Sequence, residues 1–558
     1  MRNLKLGNVL FLIVLLGFAS GSTSCAKNEQ SPLERYSITL NSDQVQFDPT
    51  GGNITLTLTT NSSWEINTSS DWIGFVPRQS GSAAENVTIT LSAEPFNEEN
   101  TTRTASVSIK CGDIATDAVV RRFITVTQSG PIVEKAEPGI YTLKDLVDFG
   151  NAIASATKDT DPDYSKWADE NGVINLYNDI DAGDTPLPLM GGQTTANDKS
   201  GAFSATFDGH GYTISGRLES NGNPLVALFT RLAPTGVIKN LTVDVEATND
   251  YTGDDVQKHL AGIVGFSVTS TGGYIENCTV KGSLTMSGPT SNPRVGGIVG
   301  YGRCNISGCT NYATITANST RVAGINGAGG GAFTISDCKN YGTINAACDA
   351  AQVGGIIGQL NGQTLLGCEN HGNITLTAGG NSVVGGIAGN SQGSSSIGSA
   401  DAPCLNTGTV TFNPAESEPS TSSGAGGISG GMSATVPISY CTNKGAVISQ
   451  ADHTNVAAGG IIGTMNKKAT LSNNRNQGPV TSAANAGGIV GRATLEVQIT
   501  DCENTGDIQR LTSATVPTSY FGCIAGQGPS VVLTNCTYGG TVLGVPGESG
   551  NATGSAAQ

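Results

Sequence analysis

Few residues in this 558-residue chain have side chains that could do chemistry, and cysteine is the first to consider. Of 13 cysteines, Cys278, Cys309, Cys338, Cys368, Cys404, Cys441, Cys502 and Cys536 recur at one position of a repeat, with Asn474 standing in once. Thiols can bind metal, but a tetrahedral site needs clustered Cys or His, and no Cys-x-x-Cys pair exists. Thiols can also pair. Stacked cysteines fall within disulfide range, yet parallel Cα–Cβ vectors oppose the torsion the bond requires. The expectation is an inward ladder of free thiols, with Cys304 and Cys309 as the pair best placed for a local bridge.

Two residues after that repeat position comes Asn in most copies (311, 340, 370, 406, 443, 476, 504), usually followed two residues later by Gly. Asn tolerates left-handed backbone and its amide can bond along a stack, so this column is expected to turn a corner. The residue between Asn and Gly should point to solvent. It reads Tyr312, Tyr341 and His371 in three successive copies, either a strip for stacking on sugar rings or a ladder that only supports the corner. Asp159, Asp161 and Asp163 form a weak candidate Ca²⁺ loop, as do Asp179, Asp181 and Asp184, but neither has the full EF-hand pattern. No other metal site and no cofactor motif is evident. Catalytic residues are not assigned: there are four His, no His-Glu-x-x-His, and the acids of the repeats stand singly.

The elements that position these residues are repeats. Gly-Gly-Ile-Val-Gly at 296–300 returns with variations around Ile263, Ile298, Ile325, Ile356, Ile387, Ile428, Ile461, Ile489 and Ile524. Units of about 30 residues that bury their apolar face only on a neighbour make a solenoid. Residues 354–376 read as three strands, Gly354–Gly358, Gln363–Cys368 and from Asn373, hence a three-sided coil. Longer excursions at 266–294 and 390–425 are candidate contact loops, Ser391–Gly398 and Ala415–Ser423 in particular.

Residues 36–130 switch to period two, as in Asn-Ile-Thr-Leu-Thr-Leu and Phe-Ile-Thr-Val-Thr-Gln, and about seven half-buried strands imply an antiparallel sandwich. Ser63-Trp64, Asp71-Trp72-Ile73, Arg103-Thr-Ala105-Ser-Val107 and Ile124-Thr-Val126-Thr-Gln128-Ser-Gly130 resemble the BACON family. That resemblance implies an immunoglobulin-like sandwich behind a lipid anchor, in a family linked to surface glycan use. Trp64 and Trp72 are expected in its core, and the module is expected to act mainly as a spacer.

Arg2 and Lys5 precede an apolar run from Val9 to Ala19 and then Cys25, the order of a secretory signal cleaved before a Cys. It resembles a bacterial lipoprotein signal, with residues 1–24 removed, Cys25 acylated, and 25–35 as an anchor linker. The formal charge of −16 excludes nucleic acid as a natural partner and leaves neutral ligands, cations or solubility.

After a linker at 131–138, residues 139–250 are expected to hold a capping helix, with Thr142 as N-cap and Leu143, Leu146, Val147 and Phe149 on one face, and then the first coils. The stretches Val173–Asp181, Phe203–Ile214 and Val237–Val243, running into the Gly-Gly-Ile-Val-Gly copies, resemble GLUG-motif proteins over roughly 139–545. The resemblance implies a parallel β-helix-like solenoid over 251–545 and carries no catalytic residue. Residues 546–558 read as a disordered tail. The expected whole is an all-β protein: an immunoglobulin-like sandwich, then a three-sided parallel β-solenoid. It is expected at the outer membrane, lipid-anchored and exposed on the cell, in a non-catalytic adhesion role with a glycan or surface protein as partner. A pure spacer and a polysaccharide lyase or hydrolase are the alternatives.

Overall fold

The computed structural model describes residues 35–557, except 77–79, 99–100, 132–136, 196–197, 199, 254–256, 269–271, 289–291, 421, 517–518 and 555. Cys25 and the apolar run before it lie outside the described residues. No helix among the described residues is long and apolar enough to cross a membrane. The chain divides into two compact units, Met1–Lys135 and Ala136–Gln558.

The first unit is a sandwich of nine described strands. One sheet runs Ile38–Leu40, Gly52–Thr60, Ala84–Ala93, Ile73–Val76; the other runs Gln44–Phe47, Ala118–Ser129, Thr102–Asp113, Trp64–Thr68, Ser80–Gly81. All pairings are antiparallel except Gln44–Phe47, which runs parallel to Thr125–Gln128. The alternation places Leu56, Leu58, Ile89, Leu91, Val107, Ile109, Ile124 and Val126 inside and the intervening Thr and Ser outside. Trp64 is buried among them, whereas Trp72 is only half-buried, with the Arg103 guanidinium 4.3 Å from its ring centroid. Gln128 is fully buried and ties loops together. Its Nε2 donates to Asp48 O at 2.9 Å and Glu94 O at 3.1 Å, while its Oε1 accepts from Arg103 Nε at 3.0 Å. The two strands beyond the expected seven include Ser80–Gly81, too short to show any alternation.

The second unit opens with a helix, Leu143–Ala154. Thr142 caps it, its hydroxyl accepting from Asp145 N at 3.2 Å. Its buried stripe is Leu146, Phe149, Gly150 and Ile153, so Val147 faces solvent, contrary to the expected face. The stripe is rotated because Gly150 lets Met190 press against the helix, while Phe149 packs on Trp167 and Phe203 at 5.5 and 6.0 Å.

From there the chain winds in one direction, about 11 turns roughly 33 residues apart. One coil carries four ladders: Arg294–Gly296, Val299–Tyr301, Asn305–Ser307, and the pair Thr310–Asn311 with Thr314–Ala317. These ladders belong to sheets of 11, 10, 12 and 21 strands among the described residues, parallel from coil to coil. The first of the three strands read from sequence thus divides in two. Gly-Gly-Ile is a bend between two ladders, not a strand between corners: in the 354–376 copy the ladders are Gln352–Gly354 and Ile357–Asn361. The bend is sharp enough to need the last glycine as well. A Cβ on Gly389 would sit 2.4 Å from Gly358 O and 2.5 Å from Val353 N, backbone atoms that cannot move aside.

The thiol column points inward. Cys278, Cys309, Cys338, Cys368, Cys404, Cys441 and Cys502 are buried, Cys536 is half-buried, and all are free. Cys304 and Cys309 form no bridge. Each sits in its own packing site, the Cys309 thiol donating to Ser307 O and the Cys304 thiol buried among apolar neighbours.

The Asn column is buried too, and every amide bonds the next. Nδ2 of Asn311, Asn340, Asn370, Asn406, Asn443 and Asn476 donates to Oδ1 of the following Asn at 2.7–2.8 Å. The left-handed backbone expected of this column lies elsewhere, one residue before the thiol: Asn277, Gly308, Asp337, Gly367, Tyr440, Asn473, Asp501 and Asn535 all have positive φ. The Asn side chains are committed to the ladder, so a neighbour supplies the turn.

Two further expectations change. Ser391–Gly398 and Ala415–Ser423 are not free loops, because Ala388–Gln392, Ser396–Ile397 and Val410–Pro419 are strands of the ladders. The described part of the 546–558 tail is folded as well. Ser549–Asn551 forms a 3₁₀ turn, Cys523 N donates to Asn551 O, Ile524 and Ala525 N donate to Ala552 O, and Ala552 is buried. These contacts satisfy backbone groups that the last coil would otherwise expose.

Candidate functional site

The strip expected from Tyr312, Tyr341 and His371 exists. Tyr312 and Tyr341 are 51% and 41% exposed, far above their interior neighbours. Their rings stack on each other at 5.0 Å and 9°, and Tyr341 stacks on His371 at 4.7 Å and 13°. His371 is further held by Glu369 and Thr407, each at 2.8 Å. The rings lie face to face along the coil axis. Their π faces therefore cover one another, and solvent meets edges and hydroxyls, which suits a corner-supporting ladder better than a sugar platform.

The acidic loop does not assemble. Asp159 pairs with Lys158 at 2.5 Å, Asp163 accepts from Ser165 N at 3.0 Å, and no group of three metal-ligating side chains occurs among the described residues. All three carboxylates are exposed, and Asp159 and Asp163 are turned to separate local donors, so Asp159, Asp161 and Asp163 do not converge as a Ca²⁺ cage would require. In the second loop, Asp179 accepts from Thr213 N and Asp181 from Gly183 N.

A site that the sequence reading missed lies at the Gly-Gly bend. The residue two before the first Gly and the residue just after the last Gly face each other across the fold. In register these columns read His259, Arg294, Arg321, Gln352, Val383, Gly424, Ala457 and, opposite, Phe266, Tyr301, Ala328, Gln359, Asn390, Gly431, Thr464. Contacts span the two columns: Arg294 lies 4.2 Å from the Tyr301 ring centroid, and Arg321 Nε donates to Gln359 at 3.2 Å. The result is an outward groove along the solenoid.

Its early end is filled. His259, Phe266 and Tyr301 stack within 5.6–5.9 Å, and burial, then the charge of Arg294, holds the His259 imidazole well below its ordinary range. Farther on, Gly424, Ala457 and Gly431 replace large side chains and leave a small cleft of about 50 Å³. Gln352, Asn381, Asn390, Ser433, Thr464 and Asn466 supply its polar lining. Gln352 Oε1 is buried without a partner, and Asn390 Nδ2 reaches Ser433 Oγ at 3.2 Å. Among the described residues no carboxylate, imidazole or thiol lines the cleft. The signal was in the sequence, at the two positions flanking each Gly-Gly-Ile copy, but residues seven apart reveal no partnership until the bend is known.

Comparison with known proteins supports the reading of the first unit. Residues 37–129 match the family model of the viral BACON domain. The N-terminal module is BACON-like. Over 241 residues, 41% of this chain, the sequence is 26% identical to halomucin of Haloquadratum walsbyi, but spans only 2% of that protein's length. Among solved structures, the chain is similar to a putative immunoglobulin A1 protease from Bacteroides ovatus: 18% identity, 57% of this chain, 78% of that one, TM-score 0.33. It also overlaps a Bacteroides ovatus GH5 xyloglucanase in complex with a heptasaccharide: 12% identity, 39% and 56% coverage, TM-score 0.15. Overlaps of this size assign no activity. A BACON-like sandwich and a β-solenoid are the architecture of a surface or binding protein.

Proposed function

We propose that this is a non-catalytic binding protein of the bacterial surface, attached through acylated Cys25, whose solenoid takes a neutral hydroxyl-rich chain, a glycan, in the groove at the Gly-Gly bend. The observation that carries the reading is the cleft lined by amides and hydroxyls, with Gln352 Oε1 buried and unpaired. Such groups exchange hydrogen bonds with sugar hydroxyls, and an orphaned buried acceptor gains most from a ligand donor. The opening runs from Gln352 to Ala457, three coil steps or roughly 14 Å, long enough for a short oligosaccharide. The described lining is amide and hydroxyl, which favours binding over hydrolysis or elimination, chemistry that needs a positioned acid or base.

A glycan array on the purified protein, followed by titration of the best hit, tests this. Asn390→Ala and Asn466→Ala are each expected to weaken binding about tenfold, and Tyr312→Ala with Tyr341→Ala to leave it unchanged. Loss on the tyrosine variant with full binding in Asn390→Ala would move the site to the strip. Release of new reducing ends would make the protein an enzyme, and silence in both assays a spacer.

A further inference from the structure

Several cations on the outer face of the solenoid are paired across coils. Lys239 meets Asp208 at 3.0 Å, Lys339 meets Glu369 at 3.2 Å, Lys468 meets Glu496 at 3.0 Å and Arg475 meets Glu503 at 3.4 Å. Three arginines clustered at the head of the groove are not so paired. Arg294 stands directly opposite Arg321 on the next coil, and Arg294 and Arg303 both lie over the Tyr301 ring, at 4.2 and 5.2 Å. Among the described residues no carboxylate comes within ion-pair distance of any of the three, in a chain with 45 acids against 29 basic residues. Their hydrogen bonds go to neutral groups: Arg294 to Gln257, Arg303 to the Tyr301 hydroxyl at 2.7 Å, Arg321 to Gln359 and, at 3.0 Å, Thr320. Arg294 Nε is buried with no partner.

Like charges opposed across adjacent strands destabilise a sheet, and a partly buried charge without a counter-ion costs more. Burial, with the charges of Arg321 and Arg303, already holds Arg294 down at about 10. All three arginines are half-buried, and Arg294 and Arg321 lie one or two coils ahead of the cleft. Forked donors arranged this way match the oxygens of a carboxylate or sulfate.

We propose that Arg294, Arg303 and Arg321 form an oxyanion subsite at the head of the groove, receiving the carboxylate or sulfate of an acidic glycan whose hydroxyl-rich remainder lies in the cleft beyond Gln352. This rests on the groove reading above. The net charge of −16 repels a polyphosphate, whereas a glycan with occasional acid groups meets the cations locally. The subsite gives the groove polarity, with acid groups at the Arg294 end and neutral rings at the Thr464 end.

The test is calorimetric titration of the purified protein with polygalacturonate, dextran sulfate and neutral dextran at low and high salt. At least one acidic polymer is expected to bind about tenfold more tightly than the neutral one, with the preference lost at high salt. Which acidic polymer binds assigns carboxylate or sulfate. Arg294→Gln and Arg321→Gln are each expected to weaken acidic binding about tenfold while raising the Tm of the free protein, since each relieves a like-charge contact; a purely structural role predicts a lower Tm and unchanged binding. Arg303→Gln, outside the two facing columns, provides a second variant and is expected to weaken binding in the same sense. Equal binding of acidic and neutral polymers, or arginine variants that leave acidic binding intact, overturns the subsite but not the groove. Failure of every glycan to bind overturns both.

Discussion

Replacing Asn406 with Ala cuts the amide ladder at its middle. In the native chain Asn406 Nδ2 donates to Asn443 Oδ1 at 2.7 Å and Gly408 O at 2.9 Å, and its Oδ1 accepts from Asn370 Nδ2 at 2.7 Å. The side chain is fully buried, so water cannot take over. Ala strands Asn443 Oδ1 and Gly408 O, and leaves Asn370 Nδ2 with Gly372 O alone. At about 1–3 kcal/mol for each orphaned buried group, two full losses and one partial loss give about 3–5 kcal/mol. In a solenoid each coil is held mainly by its neighbours, so the damage should be local. Hydrogen exchange read by mass spectrometry is the assay: amides around 368–376, 404–412 and 441–449 should lose protection while those around 278–286 keep it. Thr407→Ala, one residue along and facing outward, is the control. If Asn406→Ala costs under about 1 kcal/mol, or is indistinguishable from Thr407→Ala, the ladder contributes little and the reasoning fails.

Other outcomes follow from the same geometry. Alkylation of the native protein at pH 8 should label half-buried Cys348 and Cys536 first, because burial pushes the Cys304 thiol up to about 12 and Cys502 to about 11. Since those folded values lie above the unfolded thiol range near 8.5, their stabilising contribution is complete below about pH 8.5. It is lost as pH rises toward about 11–12, so Tm should fall across that window and not below it. Gly389→Ala should lower stability by at least about 1–3 kcal/mol in chemical denaturation, since its Cβ meets fixed backbone; a neutral result would show that the bend can open. Deleting 547–558 should uncover the Cys523–Ala525 backbone, and light scattering should then show association; a monomer with unchanged exchange in the last coil would contradict the capping role.

Much of this fold is legible without coordinates because the physics that sets it is local and periodic. Alternation in Asn53–Leu58 and Phe123–Gln128 reports which side chains enter a sandwich core, and a thiol, an Asn and a Gly at fixed spacing report a corner that recurs. Where the reading failed, the cause was a choice between two local solutions. Either Val147 or Gly150 can complete a helix stripe, and the approach of Met190 selects Gly150. Either the ladder Asn or the residue before the thiol can turn left-handed, and amide bonding across coils takes the Asn.

The candidate site divides along the same line. The sequence alone determined that Tyr312, Tyr341 and His371 share an exposed column, because one register governs every coil; only the structure decided that their rings face one another, since the coil spacing brings aromatic faces into contact. The groove belongs wholly to tertiary structure. Arg294 and Tyr301 are separated by seven residues and become partners because the backbone folds at Gly296-Gly297, and Arg294 meets Arg321 because the next coil repeats that fold one strand spacing away. Periodicity specifies which residues are equivalent, but the bend angle between two ladders, set by glycine packing from coil to coil, specifies which of them can touch the same ligand.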